Sequence, residues 1–190
     1  MGVFEYVSVL TSIVIGLGLA HLLRGVASII QHPGRQKPYF VHLVWVVFMF
    51  FQAIFFWWWE FALESLQVWT FELYLFVLFY AFIIYLMCTL LFPSDLDDYS
   101  GYEDYFVSRR AWFFGFLAAF FLIDFWDTWL KGAEHFASLG LEYPLSSTAY
   151  ITLCLVGIWT TNRRFHTTFG VVALLYQVSW ALRYYSTIGS

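Results

Sequence analysis

Charge is what this chain has least of. Only 12% of its 190 residues are charged, whereas 62% are hydrophobic and 24% aromatic. Soluble domains average about 25% charged and about 45–50% apolar residues. A soluble domain of this length keeps too much surface to hide so apolar a composition. Disorder is excluded by the ring content, since disordered chains are poor in aromatics. Positive charge is scarcer still: nine Lys and Arg face thirteen Asp and Glu, a net charge of −4. Such a balance offers no broad basic surface, so no nucleic-acid partner is expected. Cysteine is nearly absent, and Cys88 and Cys154 both sit inside apolar runs. A disulfide framework needs several cysteines in polar stretches, so these two read as small buried hydrophobes.

What is present is a series of long apolar runs, the signature of an integral membrane protein. A membrane-spanning helix needs about 20 mostly apolar residues. Six segments qualify: 4–30, 39–61, 68–92, 110–130, 145–161 and 165–183. The runs are continuous rather than alternating, which favours helices over barrel strands. The expected fold is all-α, one bundle of six transmembrane helices forming a single domain over residues 1–190. Pro33, Gly34 and Pro38 break the chain after the first span, and Pro93–Ser108 forms an acidic, tyrosine-rich third connector. Gly132, Gly140 and Pro144 mark the fourth connector, and Asn162-Arg163-Arg164 closes a tight last hairpin. The first run lacks a basic leader and exceeds the h-region of a cleavable signal, so it reads as an uncleaved insertion signal. Gly2 is not expected to be myristoylated, because Tyr6 stands where Ser or Thr is needed.

Basic residues orient the spans, because cytoplasmic connectors hold the excess of Lys and Arg. Connectors one, three and five hold Arg24, Arg35, Lys37, Arg109, Arg110, Arg163 and Arg164, leaving Lys131 and Arg183 for the other side. Both termini are therefore expected outside the cytoplasm, in a bacterial inner membrane. The outer side collects Glu5, Glu60, Glu64, Glu72, Asp124, Asp127, Glu134 and Glu142. They are either ordinary solvated acids or a mouth that concentrates cations. Trp57, Trp58, Trp59, Trp69, Trp126 and Trp129 fit an interfacial belt on the same side.

Ionisable residues inside the bilayer are the strongest functional pointers, since a charge there is costly. Asp124 lies about 20 Å along its helix from Ala111, and Asp127 and Lys131 share its face. One reading pairs Asp127 with Lys131 at the surface and lets Arg183 neutralise Asp124. The other makes Asp124 a proton or cation site. Gln52 and Gln177 sit near mid-membrane, either as helix glue or as lining of a watery path. His21 lies within the first span, suited to a hydrogen bond, a proton relay or a haem ligand. Haem needs a facing partner at similar depth, and His42 lies too near the surface, so no cofactor and no metal site is expected. Arg24, His42, Arg163, Arg164 and His166 form a basic cluster suited to anions or lipid headgroups. Ser8, Ser12, Gly16 and Ala20 recur every four residues, with Gly18 beside them. Small residues at that spacing admit a second helix, so a homo-oligomer contact is expected there, with a glycine gate as the functional alternative.

The segments Phe4-Glu5-Tyr6-Val7-Ser8-Val9-Leu10, Gly16-Leu17-Gly18-Leu19 and Asn162-Arg163-Arg164-Phe165-His166 resemble a bacterial family of small, uncharacterised multi-pass membrane proteins. The resemblance implies six spans over most of the chain and carries no activity and no site residue. No His-Glu-x-x-His, Gly-x-Ser-x-Gly or phosphate loop occurs, so no enzyme is expected. Asp95-Leu96-Asp97-Asp98 lacks the spacing of a calcium loop. The leading expectation is a small channel or transporter for protons or cations through Asp124, Asp127, Gln52, Gln177, His21, Gly16 and Gly18. The alternative is a non-catalytic subunit or sensor that docks to a larger membrane complex.

Overall fold

The computed structural model describes residues 3–32, 34, 37–65 and 68–184. Gly2, Pro33 and Arg35, used above, lie outside them. Seven α-helices and one 3₁₀ turn account for most of the described chain, with no strand among the described residues. They are α1 (Val3–Gln31), α2 (Phe40–Glu60), a 3₁₀ turn (Phe61–Ser65), α3 (Phe71–Thr89), α4 (Tyr102–Leu130), the short α5 (Ala133–Ser138), α6 (Glu142–Trp159) and α7 (Arg163–Tyr184).

Helices α1, α2, α3, α4 and α7 are long and apolar enough to cross a membrane. The chain is thus an α-helical, multi-pass membrane protein whose outward-facing leucines, valines and aromatics meet lipid. The expected fifth span corresponds to α6, which is less apolar because Ser146, Ser147, Thr148 and Thr152 interrupt it. The Thr148 and Thr152 hydroxyls donate to carbonyls one turn back, at 2.7 and 2.8 Å, so they need no outside partner.

The expected third connector is shorter than predicted. Helix α4 begins at Tyr102, about two turns before the expected 110. Glu103 and Asp104 favour a helix N-terminus, and Tyr102, Tyr105 and Phe106 bury one face of the added turns. Gly101, at φ 145°, makes the bend that a side chain would strain. Asn162 starts α7 by accepting the Arg164 and Phe165 amides at 2.9 and 3.4 Å.

Packing pairs α1 with α3, α2 with α7 and α4 with α6. Glycines allow each close approach. A Cβ on Gly18 would touch Cys88 at 3.4 Å, and one on Gly25 would overlap the Phe92 ring at 2.3 Å. A Cβ on Gly157 would meet Phe114 at 3.0 Å, and one on Gly170 would meet Val44 at 3.1 Å. The start of α1, the ends of α2 and α4, the start of α6 and the end of α7 gather at one end of the bundle, here the near end. Contacts of Phe4 with Phe61, Lys131 with Glu60 and Arg183 with Glu142 link them.

Candidate functional site

In the far half of the bundle rings pack around Trp45, and a polar cavity of about 140 Å³ lies at that end, beside Ser28, Pro93, Asp95 and Tyr102. Trp45 is fully buried, with edge-on contacts to Phe48, Phe113, Phe114 and Phe169 at 5.1–5.4 Å. Its polar groups serve helix ends. The last carbonyls of a helix have no partner within the helix, and lipid supplies none. At the end of α3, Tyr105 donates to the Leu90 carbonyl at 2.8 Å, His42 to Leu91 at 2.5 Å and His21 to Phe92 at 2.9 Å. At the end of α6, His166 and Arg110 both donate to the Thr160 carbonyl, at 2.9 and 3.1 Å.

This placement separates several predicted site residues. His21 bonds the Phe92 carbonyl, just past the end of α3, and is not among the residues lining the cavity described below. His42 and His166 are buried against their carbonyls, whereas Arg24, Arg163 and Arg164 are exposed. Arg163 instead lies 3.8 Å from Glu103 and over the Tyr39 ring. Gly16 faces outward with nothing within 4 Å of an added Cβ, whereas Gly18 is packed on α3. Ser12 and Ala20 are also outward-facing, and Ser8 is half-buried, so the stripe supports no contact inside the bundle.

The near half is built differently. A cavity of about 90 Å³ lies among α2, α3, α4, α6 and α7. Eleven of its sixteen lining residues are aromatic, and the others are Gln52, Asp124, Ser146, Ser147 and Gln177. Asp124 is its only charged group. The Tyr80 hydroxyl donates to Asp124 Oδ1 at 2.9 Å and Tyr143 to Oδ2 at 2.7 Å, anchoring the carboxylate to α3 and α6. Thr128 lies 2.7 Å from the Tyr143 hydroxyl and orients it further. Gln52 and Gln177 pair across the cavity floor, amide to amide at 2.5 Å, joining α2 to α7. Half-buried Ser146, Tyr176 and Trp180 stand on α6 and α7. One turn nearer the bundle end, Arg183 grips Glu142 through both guanidinium nitrogens at 2.6 and 2.8 Å. The expected Arg183–Asp124 pair is therefore replaced by Arg183–Glu142, because Glu142 opens α6 directly beside the end of α7.

Behind Asp124 lies a buried ion cluster. Lys131 Nζ is 2.5 Å from Asp127 and 3.0 Å from Glu60, and all three side chains are at most 2% exposed. The Asp127–Lys131 pair expected at the surface is thus interior. Lys131 also lies over the Trp59 ring, 5.2 Å from its centre. His135 of α5 packs on the same ring. Burial, then the nearby Lys131 ammonium, holds the His135 ring below the usual histidine range, so it adds no second cation at neutral pH. Three carboxylates thus share one ammonium around the cavity.

Of the residues singled out in the sequence, Asp124, Gln52 and Gln177 line one cavity and Asp127 lies in the ion cluster beside it. Reasoning from sequence missed Tyr80, Tyr143 and the role of Gly25, and it named Glu60 only as one of the outer acids. Glu60 carried a signal, since it ends an apolar run at the same depth as Lys131. No group of three or more His, Cys, Asp or Glu suited to a metal ion occurs among the described residues. Compared with protein-family models, curated proteins and solved structures, the chain matches none.

Proposed function

We propose that the protein carries protons or other small cations across the membrane through the cavity around Asp124. One observation carries this reading: a carboxylate held by two phenols on the wall of an intramembrane cavity, beside a buried cluster with more acid than base. Intramembrane acids that face a cavity mark ion and proton routes. The ring-packed far half around Trp45 favours a carrier that changes conformation over a standing pore.

Six crossings follow if α6 is counted, since 18 residues rise about 27 Å against a hydrocarbon core of about 30 Å. Lys37, Arg24, Arg109, Arg110, Arg163 and Arg164 then face the cytoplasm, and the cavity and both termini face outward. Proton-driven dye uptake into liposomes reconstituted with wild type or Asp124→Asn tests the carrier reading. Flux is expected to fall at least tenfold in the variant, and equal flux in the two rejects it.

A further inference from the structure

Resting on the cation reading of this cavity, we infer that its preferred ligand is a compact alkylammonium cation rather than a metal ion. The charge argument comes first. Asp124 faces the cavity, and Asp127 and Glu60 behind it share the single ammonium of Lys131. A cationic ligand offsets that excess where no water-rich medium can screen it.

The wall then decides which cation. Hard metal ions require about six or more oxygens in exchange for their water. Here Asp124 is the single anionic oxygen donor on the wall, and the others are neutral amides and hydroxyls, several of which already donate their protons elsewhere: Gln177 to Gln52, Tyr150 to the Ala173 carbonyl, Tyr176 to Glu142 and Ser146 to the Tyr143 carbonyl. Most of the wall is aromatic. Aromatic faces attract ammonium groups, and methylated ammonium most of all, because its weak hydration costs little to remove. The Asp124 carboxylate keeps lone pairs beyond the two taken by Tyr80 and Tyr143, enough to meet the charge.

Size narrows the class. A cavity of about 150 Å³ accepts benzene. At about 90 Å³, this one suits a group of roughly four or five non-hydrogen atoms, the size of a trimethyl- or tetramethylammonium ion. The same group on a lipid headgroup is a second source of identical chemistry.

The test uses the whole chain purified in a maltoside detergent, which carries no ammonium group. Trp59 and Trp180 on the wall report binding by fluorescence. Tetramethylammonium chloride is titrated against sodium chloride at matched ionic strength and against tert-butanol, a neutral molecule of the same shape. The expected result is saturable binding of tetramethylammonium, at least tenfold weaker binding of tert-butanol and none of sodium. Asp124→Asn should weaken tetramethylammonium binding at least tenfold. Trp126→Phe, on the outward face of α4, should leave it unchanged. If Asp124→Asn fails to fold, the three-ligand comparison on the wild type decides alone. Sodium competing as well as tetramethylammonium, tert-butanol binding equally, or no saturable signal each overturns the assignment.

A weaker apparent tetramethylammonium affinity in phosphatidylcholine vesicles than in vesicles of an uncharged glycolipid without an ammonium group, such as digalactosyldiacylglycerol, identifies the lipid as the source. The two proposals fail separately. Asp124-dependent proton flux without tetramethylammonium binding removes the ligand class and spares the carrier. Tight, Asp124-dependent binding with flux unchanged in Asp124→Asn does the reverse.

Discussion

The two halves of the bundle bury polar side chains for opposite reasons. In the far half, His21, His42, Tyr105, His166 and Arg110 each spend a hydrogen bond on a carbonyl at a helix end. Those bonds complete the backbone where lipid cannot, and rings pack closely around Trp45. In the near half, Asp124, Gln52 and Gln177 bond to side chains, not to helix ends, and a cavity remains beside them. A buried polar residue in a membrane protein is therefore ambiguous until its partner is known. A backbone carbonyl points to architecture, while side-chain partners around open space point to a site.

Perturbing the near half's ion cluster should give the largest stability effect. Lys131→Met leaves Asp127 and Glu60 facing each other without their cation. Breaking a buried pair from one side costs about 3–5 kcal/mol. Thermal unfolding in detergent should show a strongly lowered midpoint, and a variant that also carries Glu60→Gln and Asp127→Asn should recover most of it. An unchanged midpoint for Lys131→Met would show that the cluster is not buried as described.

Next in size is a test of helix packing. Gly25→Ala would drive a methyl group to 2.3 Å from the Phe92 ring. Overpacking of this kind costs about 1–3 kcal/mol. It should also disturb the His21 cap, because the displaced residue supplies the carbonyl that His21 reaches.

The sharpest comparison sets His42→Phe against Asp124→Asn. The first keeps a ring but removes the donor to the Leu91 carbonyl, a loss of about 1–3 kcal/mol. Its flux per folded molecule should match wild type. The second keeps the shape of Asp124 and should lose flux with a smaller change in unfolding midpoint. If His42→Phe abolishes flux while the fold survives, the division between the two halves fails.

Five of the expected spans were legible because apolar runs of sufficient length have few alternatives in water or lipid. The first two turns of α4 were not, since Tyr102, Tyr105 and Phe106 alternate with Glu103, Asp104 and Arg109 and read as a loop. Depth along a helix correctly brought Gln52 level with Gln177. It could not show which way Asp124 turns, because Tyr80 and Tyr143 come from helices whose neighbours no local pattern specifies. For His21 a hydrogen bond was one of three options, and the sequence could not single it out for a related reason. Its carbonyl partner belongs to backbone, and backbone carries no residue-type signal.

The smallest effect is expected at Gly16, and its contrast with Gly18 separates two meanings of a small residue. On Gly18, two positions along, a larger side chain would press against Cys88 and the α3 backbone, so Gly18→Leu should destabilise the single chain. An added Cβ on Gly16 meets nothing within 4 Å among the described residues, so Gly16→Leu should leave the unfolding midpoint within about 0.5 kcal/mol of wild type. Its remaining consequence is between molecules. Small residues on an outward face let a second helix approach, and a leucine there holds it off. If Ser8, Ser12, Gly16 and Ala20 form a contact between copies, light scattering in mild detergent should report an oligomer for wild type and a single chain for Gly16→Leu. A wild type that is already a single chain assigns the stripe to lipid, and the oligomer expected from its spacing is then withdrawn.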